Sequence, residues 1–93
     1  MELGEHIELV GFSDDAAEII IIKKLVGNHV KHFTERVDGF ERLVLTRKEI
    51  HANQHDVHGR LLIAGKEFFA EDTDYNLFFA LDNCLKKLEN QAR

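Results

Sequence analysis

The spacing of apolar residues switches between two periods along this chain, and this restricts the fold more than any other feature of the sequence. Polar and apolar residues alternate at the start of segment 6–12, as they do in a short half-buried strand. From about residue 14 to 36 apolar residues recur every three or four positions, which is typical of an amphipathic helix. Alternation returns at about 40–49, around 57–63 and at 67–71, and helical spacing follows. The sequence therefore predicts the order β-α-β-β-β-α.

Local signals place the ends of these elements. Ser13 is the predicted N-cap of the first helix, and the run 72–74 (Asp-Thr-Asp) is the predicted N-cap of the second. The pair Gly27-Asn28 lowers helix propensity in the middle of the first helix, so a bend or break can occur there. Turns are predicted at Asp38-Gly39 and at Gly65-Lys66, and the loop 52–54 reverses the chain.

These elements predict an α+β fold for one domain that spans residues 1–93. A chain of 93 residues has room for one hydrophobic core. Two helices on one face of a four-stranded mixed sheet would form a two-layer sandwich, similar to the layout of double-stranded-RNA-binding domains. The first and second strands are joined by a helix, so they would pair in parallel, and the hairpins that follow would be antiparallel.

Charge is distributed unevenly along the chain. The formal net charge is −5, and residues 1–22 contain six acids and no Lys or Arg. Residues 23–66 contain nine Lys and Arg against five Asp and Glu, together with five of the six histidines. Net charge alone argues against a polyanionic partner, whereas this basic middle segment could bind one.

Several classes of protein are not expected. The single cysteine, Cys84, excludes a disulfide framework and a four-thiolate zinc site, and it favours the reducing cytoplasm. No apolar run is long enough for a membrane span, and the acidic start does not resemble a signal peptide, so no membrane partner is expected. Cys84 lies beside the apolar stripe of a helix, and the acids at 71–74 are explained by capping. The sequence also has no Gly-rich phosphate loop. We therefore expect neither enzymatic activity nor a cofactor or a small-molecule substrate.

A metal site is likewise not expected from the histidines. His29 and His32 are one helical turn apart, and His51, His55 and His58 surround a predicted loop. Their spacing matches no common zinc signature.

Asp82, the pair Lys87-Leu88 and Gln91 form a motif in the last predicted helix, within the run 82–91. With this spacing the run resembles the C-terminal helix of the ribosome hibernation-promoting factors, also called ribosome-associated translation inhibitors. The approach to the helix, 70–74 and 78–81, has counterparts in that family, and the order of elements agrees. The chain is thus similar to a short-form, divergent member that is acidic where typical members are basic.

The resemblance implies binding to the small ribosomal subunit and its rRNA, in the channel that holds mRNA and tRNA, and the silencing of translation in idle ribosomes. Folded RNA is recognised through its phosphates and 2′-hydroxyls, so Lys and Arg on the helices and on the open sheet face are the predicted contacts. The functional lysine of the family carries over to Lys87. His58 and Lys66 would share the open sheet face with the cations there. The predicted RNA-binding residues are Lys23, Lys24, Lys31, Arg42, Lys48, Arg60, Lys86 and Lys87.

Other interpretations stay open. Each of these cations could belong to an ordinary solvated surface. Five aromatic residues between 68 and 79 cannot all face one side of the fold, and with the acidic termini they favour a protein-interaction or dimerisation module without RNA binding, including a weak homodimer. The five are Phe68, Phe69, Tyr75, Phe78 and Phe79.

Overall fold

The computed structural model describes residues 3, 6–50 and 53–92. Within that part of the chain the elements follow the predicted order. They are β1 (Ile7–Val10), α1 (Ala16–Arg36), β2 (Phe40–Ile50), β3 (Gln54–Ile63), β4 (Lys66–Asp74) and α2 (Leu77–Gln91). The predicted α+β class and the order β-α-β-β-β-α are confirmed.

The four strands form one mixed sheet in the order β1-β2-β3-β4. β1 pairs with β2 in parallel, with Leu9 opposite Leu45. β2 pairs with β3, and β3 with β4, in antiparallel register, with Leu43 opposite Leu61 and His58 opposite Glu71. β1 and β4 are therefore the edge strands of the described sheet.

The core lies between one face of the sheet and the two helices. Alternate residues of β1, β2 and β3 point into it, because side chains of a strand alternate between the two faces. The opposite face, which we call the outer sheet face, carries the intervening residues. The fully or almost fully buried apolar side chains of the sheet are Leu9, Leu43, Leu45, Val57, Leu61 and Ile63, and those of the helices include Ile22, Val26, Phe33, Leu81, Cys84, Leu85 and Leu88.

Two predicted helix caps and the predicted weak point within α1 need correction. The N-cap of α1 is Asp15, whose side chain accepts a hydrogen bond from the Glu18 amide, and Ser13 instead accepts one from the Asp15 amide. α1 is continuous through Gly27, so no break occurs. The run 72–74 belongs to β4, because its pairing with β3 continues as far as the partners His55 and Asp74.

The true cap of α2 follows that longer strand. The Asn76 side chain accepts hydrogen bonds from the Phe78 and Phe79 amides at 2.9 and 3.2 Å. This leaves Asp72 on the strand that lies beside α2, where it can meet side chains of the helix. The predicted turn at 52–54 falls partly outside the described residues, and Asn53 within it has a positive φ of 60°.

Candidate nucleic-acid interface

The eight cations predicted to bind RNA lie on three separate surfaces. The first, the exposed side of α1, carries Lys23, Lys24 and Lys31. The second is the outer sheet face, with Arg42, Lys48 and Arg60. The third is the surface of α2, with Lys86 and Lys87. The chain therefore does not gather them into one patch, and their individual partners decide which are free to bind a polyanion.

The α1 surface has the free cations. Lys23, Lys24 and Lys31 are all exposed, and none of their ammonium groups has a hydrogen bond or ion-pair partner among the described residues. Helix α1 has four Lys and Arg but only two Asp and Glu, Glu18 and Glu35. In a chain of net charge −5 this helix is thus a local positive element.

The outer sheet face is largely neutralised. Arg42 pairs with Glu8 of β1, and Arg60 pairs with Glu67 of β4 at 2.6 Å. Lys48 is exposed and lies opposite Asp56, whose pKa is lowered chiefly by a hydrogen bond from His58. The described face has three Lys and Arg against four Asp and Glu, the acids being Glu8, Asp56, Glu67 and Glu71.

Lys66 is not part of that face, contrary to prediction. It lies opposite Ile63, whose side chain is buried in the core, so it has the register of the helix side of the sheet. His58 is on the outer face as predicted, opposite Glu71.

The cations of α2 are both engaged. The Lys87 ammonium donates to the Glu71 carbonyl at 2.8 Å and to the Asp72 carboxylate at 3.1 Å. One turn later the Gln91 amide donates to the Phe69 carbonyl at 2.7 Å. Both acceptor carbonyls belong to β4, the edge strand, whose backbone groups have no further strand to pair with. Lys87 and Gln91 therefore attach α2 to the open edge of the sheet.

The rest of the helix motif also has a structural role. Leu88 is fully buried. Asp82 accepts a hydrogen bond from the His29 ring at 2.8 Å and pairs with Lys86 at 2.9 Å. The motif that resembles the hibernation-promoting factors thus consists, in this chain, of contacts that place α2 against β4 and against α1.

A polar cluster between the helices was missed by sequence reasoning. Glu89 lies 3.4 Å from ring nitrogens of both His29 and His32, and 3.9 Å from the Arg36 guanidinium. His29 is the only buried polar residue of the described chain, and its Nδ1 has no hydrogen bond of good geometry there. One signal in the sequence could have indicated this cluster: the helical spacing places His29, His32 and Arg36 on one face of α1, where they can share a partner. The identity of that partner depends on how the helices pack.

Two ionisable groups have shifted pKa values that matter for chemistry. Burial opposes ionisation of Asp82, but hydrogen bonds from Lys86 and His29 outweigh it and lower the Asp82 pKa. Burial raises the pKa of the Cys84 thiol to about 12, and the thiol points toward the Ala70 carbonyl at 3.6 Å. A thiol that stays protonated is a poor nucleophile.

No family model matches this sequence, and no curated protein does either. Solved structures do resemble it. The N-terminal domain of protein Y from Thermus thermophilus has a TM-score of 0.69 with 16% identity, over 94% of this chain and 91% of that one. The chain has the protein Y fold. A ribosomal subunit interface protein from Coxiella burnetii has a TM-score of 0.65 with 14% identity, over 94% of this chain and 90% of that one.

The protein Y fold is the architecture that the sequence motif predicted, so the fold expected from the resemblance is confirmed. The description of the Coxiella burnetii neighbour assigns that protein to the ribosomal subunit interface. Neither neighbour is described as an enzyme. Among the described residues no helix is long and apolar enough to cross a membrane.

Proposed function

We propose that this chain is a ribosome-binding factor without enzymatic activity, which docks on the small subunit and silences translation by occupying the mRNA and tRNA channel. The observation that carries the proposal is the match of fold, over 94% of the chain, to a protein described as residing at the ribosomal subunit interface. The proposal includes a cytoplasmic location and one domain over residues 1–93 that acts by steric exclusion without a cofactor.

The exposed side of α1 is the surface best suited to contact rRNA. Its three lysines have no partner among the described residues, so binding a phosphate breaks no existing ion pair. Lys24 and Lys31 are seven residues apart, and seven residues of α-helix rise about 10 Å, so the two ammonium groups can contact different phosphates. Folded RNA presents rows of such phosphates.

The cations that are already paired would contribute less to rRNA binding. Lys87 and Arg60 would have to leave a carbonyl or a carboxylate before they could bind a phosphate. Lys86 is held by Asp82, and Arg42 by Glu8. Of the predicted residues outside α1, Lys48 is the one with no hydrogen bond or ion pair within the described ranges, and it stays in the proposed set.

Cosedimentation with purified small subunits at low and moderate salt tests this assignment. The wild type should bind more weakly as salt rises, because phosphate contacts release counterions. The variant with Lys23→Glu, Lys24→Glu and Lys31→Glu should bind far more weakly than the wild type. Each lost phosphate contact should reduce the slope of log affinity against log salt by about 0.7 to 0.9.

A matched pair of single variants controls for net charge. Lys31→Glu and Lys66→Glu remove the same charge from exposed lysines of two different elements, α1 and β4, whose side chains have no ion pair in the described structure. Lys31→Glu should weaken binding and Lys66→Glu should not. Equal losses would mean that only overall charge matters, and absence of binding by the wild type at low salt would refute the proposal.

One observation favours the second candidate, a protein-interaction module. Phe69, Tyr75 and Phe79 are each 60–66% exposed, which is unusual for aromatic side chains in so small a fold. Sedimentation of the isolated chain over a range of concentrations separates the two functions. A dimer that Phe69→Ser abolishes, together with no affinity for small subunits, would support the module instead.

A further inference from the structure

Strand pairing brings three metal-ligating side chains together on the outer sheet face, away from α1. Asp56 and His58 are two residues apart on β3, so they point to the same face. Glu71 of β4 lies directly opposite His58, and side chains of such cross-strand partners are neighbours. One ligand atom from each residue lies within 4.8 Å of the other two.

The hydrogen-bonding capacity of His58 limits how the groups of this cluster can be satisfied. Its Nε2 lies 2.6 Å from the Asp56 carboxylate, and its Nδ1 lies 3.4 Å from the Glu71 carboxylate. A neutral imidazole has one N–H, so it can donate to only one of these groups and must turn a lone pair toward the other. A cation held by the two carboxylates and one ring nitrogen removes this conflict.

We propose that Asp56, His58 and Glu71 bind one divalent transition-metal ion of the Zn²⁺ class. Such ions take imidazole nitrogen and carboxylate oxygen at about 2.0–2.2 Å, and sites with three protein ligands leave a fourth position open. Tetrahedral bonds of that length separate the ligand atoms by about 3.4 Å. One ring nitrogen and one oxygen of each carboxylate lie within 4.8 Å of one another, and rotation of these partly exposed side chains brings them to that separation.

The surroundings supply both a second shell and an open position. The Thr73 hydroxyl donates to the second oxygen of Asp56 at 3.0 Å, which orients the carboxylate as second-shell partners of metal ligands do. His58 and Glu71 line a shallow groove of about 540 Å³ that is open to solvent. A water on the fourth position would face this groove, beside Phe69 and Arg60.

Binding of the ion would change the charge of the whole face. The described outer sheet face has one more acid than base, so two added positive charges make it net positive. The RNA contacts proposed on α1 lie on a different surface from this site, and Lys48, opposite Asp56, is the one proposed contact that shares its face.

Calorimetric titration of untagged protein with Zn²⁺ tests the site. Titration with Co²⁺ provides a second readout, the visible absorption of a tetrahedral complex. The wild type should bind one ion. His58→Gln should lower the affinity by more than about 100-fold, since loss of a second-shell partner alone costs 10–100-fold. Glu71→Gln should lower it at least about tenfold. His32→Gln removes a histidine of similar exposure that also faces a carboxylate, and it should leave the affinity unchanged.

Circular dichroism shows whether each variant is folded. Saturable binding that His58→Gln abolishes and His32→Gln retains supports the site. No binding by the folded wild type, or equal binding by His58→Gln, overturns it. The titration uses the isolated chain, so its outcome is independent of whether small subunits are bound.

Discussion

Replacing Lys87 with Met should destabilise the fold, because the ammonium group holds α2 to the edge strand. Met keeps a long unbranched side chain and a similar helix propensity, so the change removes mainly the charge and its hydrogen bonds. Lys87 donates to the Glu71 carbonyl at 2.8 Å and to Asp72 at 3.1 Å. Hydrogen bonds that involve a charged group contribute about 1.5–3 kcal/mol, and exposed ion pairs about 0.2–1 kcal/mol.

The Lys87 side chain is 52% exposed, so solvent screening reduces both contributions. We therefore expect a loss of about 1–2 kcal/mol in the free energy of unfolding. For a domain of this size each kcal/mol corresponds to a fall of about 4–8 °C in Tm.

Urea denaturation followed by circular dichroism measures this loss, with Lys31→Met as the matched control. Lys31 has no partner in the described structure, so its substitution should change stability by less than about 0.5 kcal/mol. If Lys87→Met is as stable as Lys31→Met, the inference that Lys87 attaches α2 to β4 is wrong. Lys87 is then as available to RNA as the lysines of α1.

Three further predictions concern the fold. Gly11→Ala should destabilise by about 1–3 kcal/mol more than Gly65→Ala in denaturation, and equal losses would contradict this. Both residues have φ near +79°, but only at Gly11 would a Cβ meet a backbone oxygen, that of Arg47. Cys84 should resist thiol reagents at pH 8 until the protein unfolds, because burial raises its pKa to about 12; rapid labelling of native protein would exclude this burial. Asp82 has a lowered pKa, so its contribution to stability should be complete above pH 3.8, its ordinary pKa, and lost as pH falls through the lower folded value. Asp82→Asn should flatten stability against pH there, and an unchanged profile would contradict it.

Much of the fold could be predicted because the relevant signals are local. Leu43 and Leu45 are two residues apart, as side chains on one face of a strand are, and both are fully buried on the helix side of the sheet. Leu61 and Ile63 have the same spacing on β3 and are also buried. The end of β4 could not be found in this way, because Asp72 and Asp74 have the composition of a helix cap. Their place in a strand follows from pairing with residues of β3 that are distant in sequence.

The candidate interface was harder to predict because it depends on which cations are already paired. Arg42 and Glu8 are 34 residues apart, and Lys87 and Glu71 are 16 apart, so neither contact is visible in local patterns. Sequence analysis named eight cations and carried the functional lysine of the family over to Lys87. Among the described residues the structure leaves the three lysines of α1 and Lys48 without an ion pair and pairs the other four cations. RNA binding by any of these cations stays a prediction.

The Asp56, His58 and Glu71 cluster shows the same limit. Sequence analysis grouped His58 with other histidines around a loop and found no zinc spacing. The actual neighbours of His58 are carboxylates, one on its own strand and one across the ladder. The register of β3 and β4 creates this group, and register cannot be read from His spacing.

Competition on the small subunit tests the central claim most directly. Purified small subunits would be saturated with this chain, and the retention of labelled mRNA and tRNA would be measured at low salt with and without it. Occupation of the channel predicts that the chain and the mRNA–tRNA pair exclude each other, and that the triple variant at Lys23, Lys24 and Lys31 fails to compete. A stable complex in which subunit, mRNA, tRNA and this chain are all present would contradict the account.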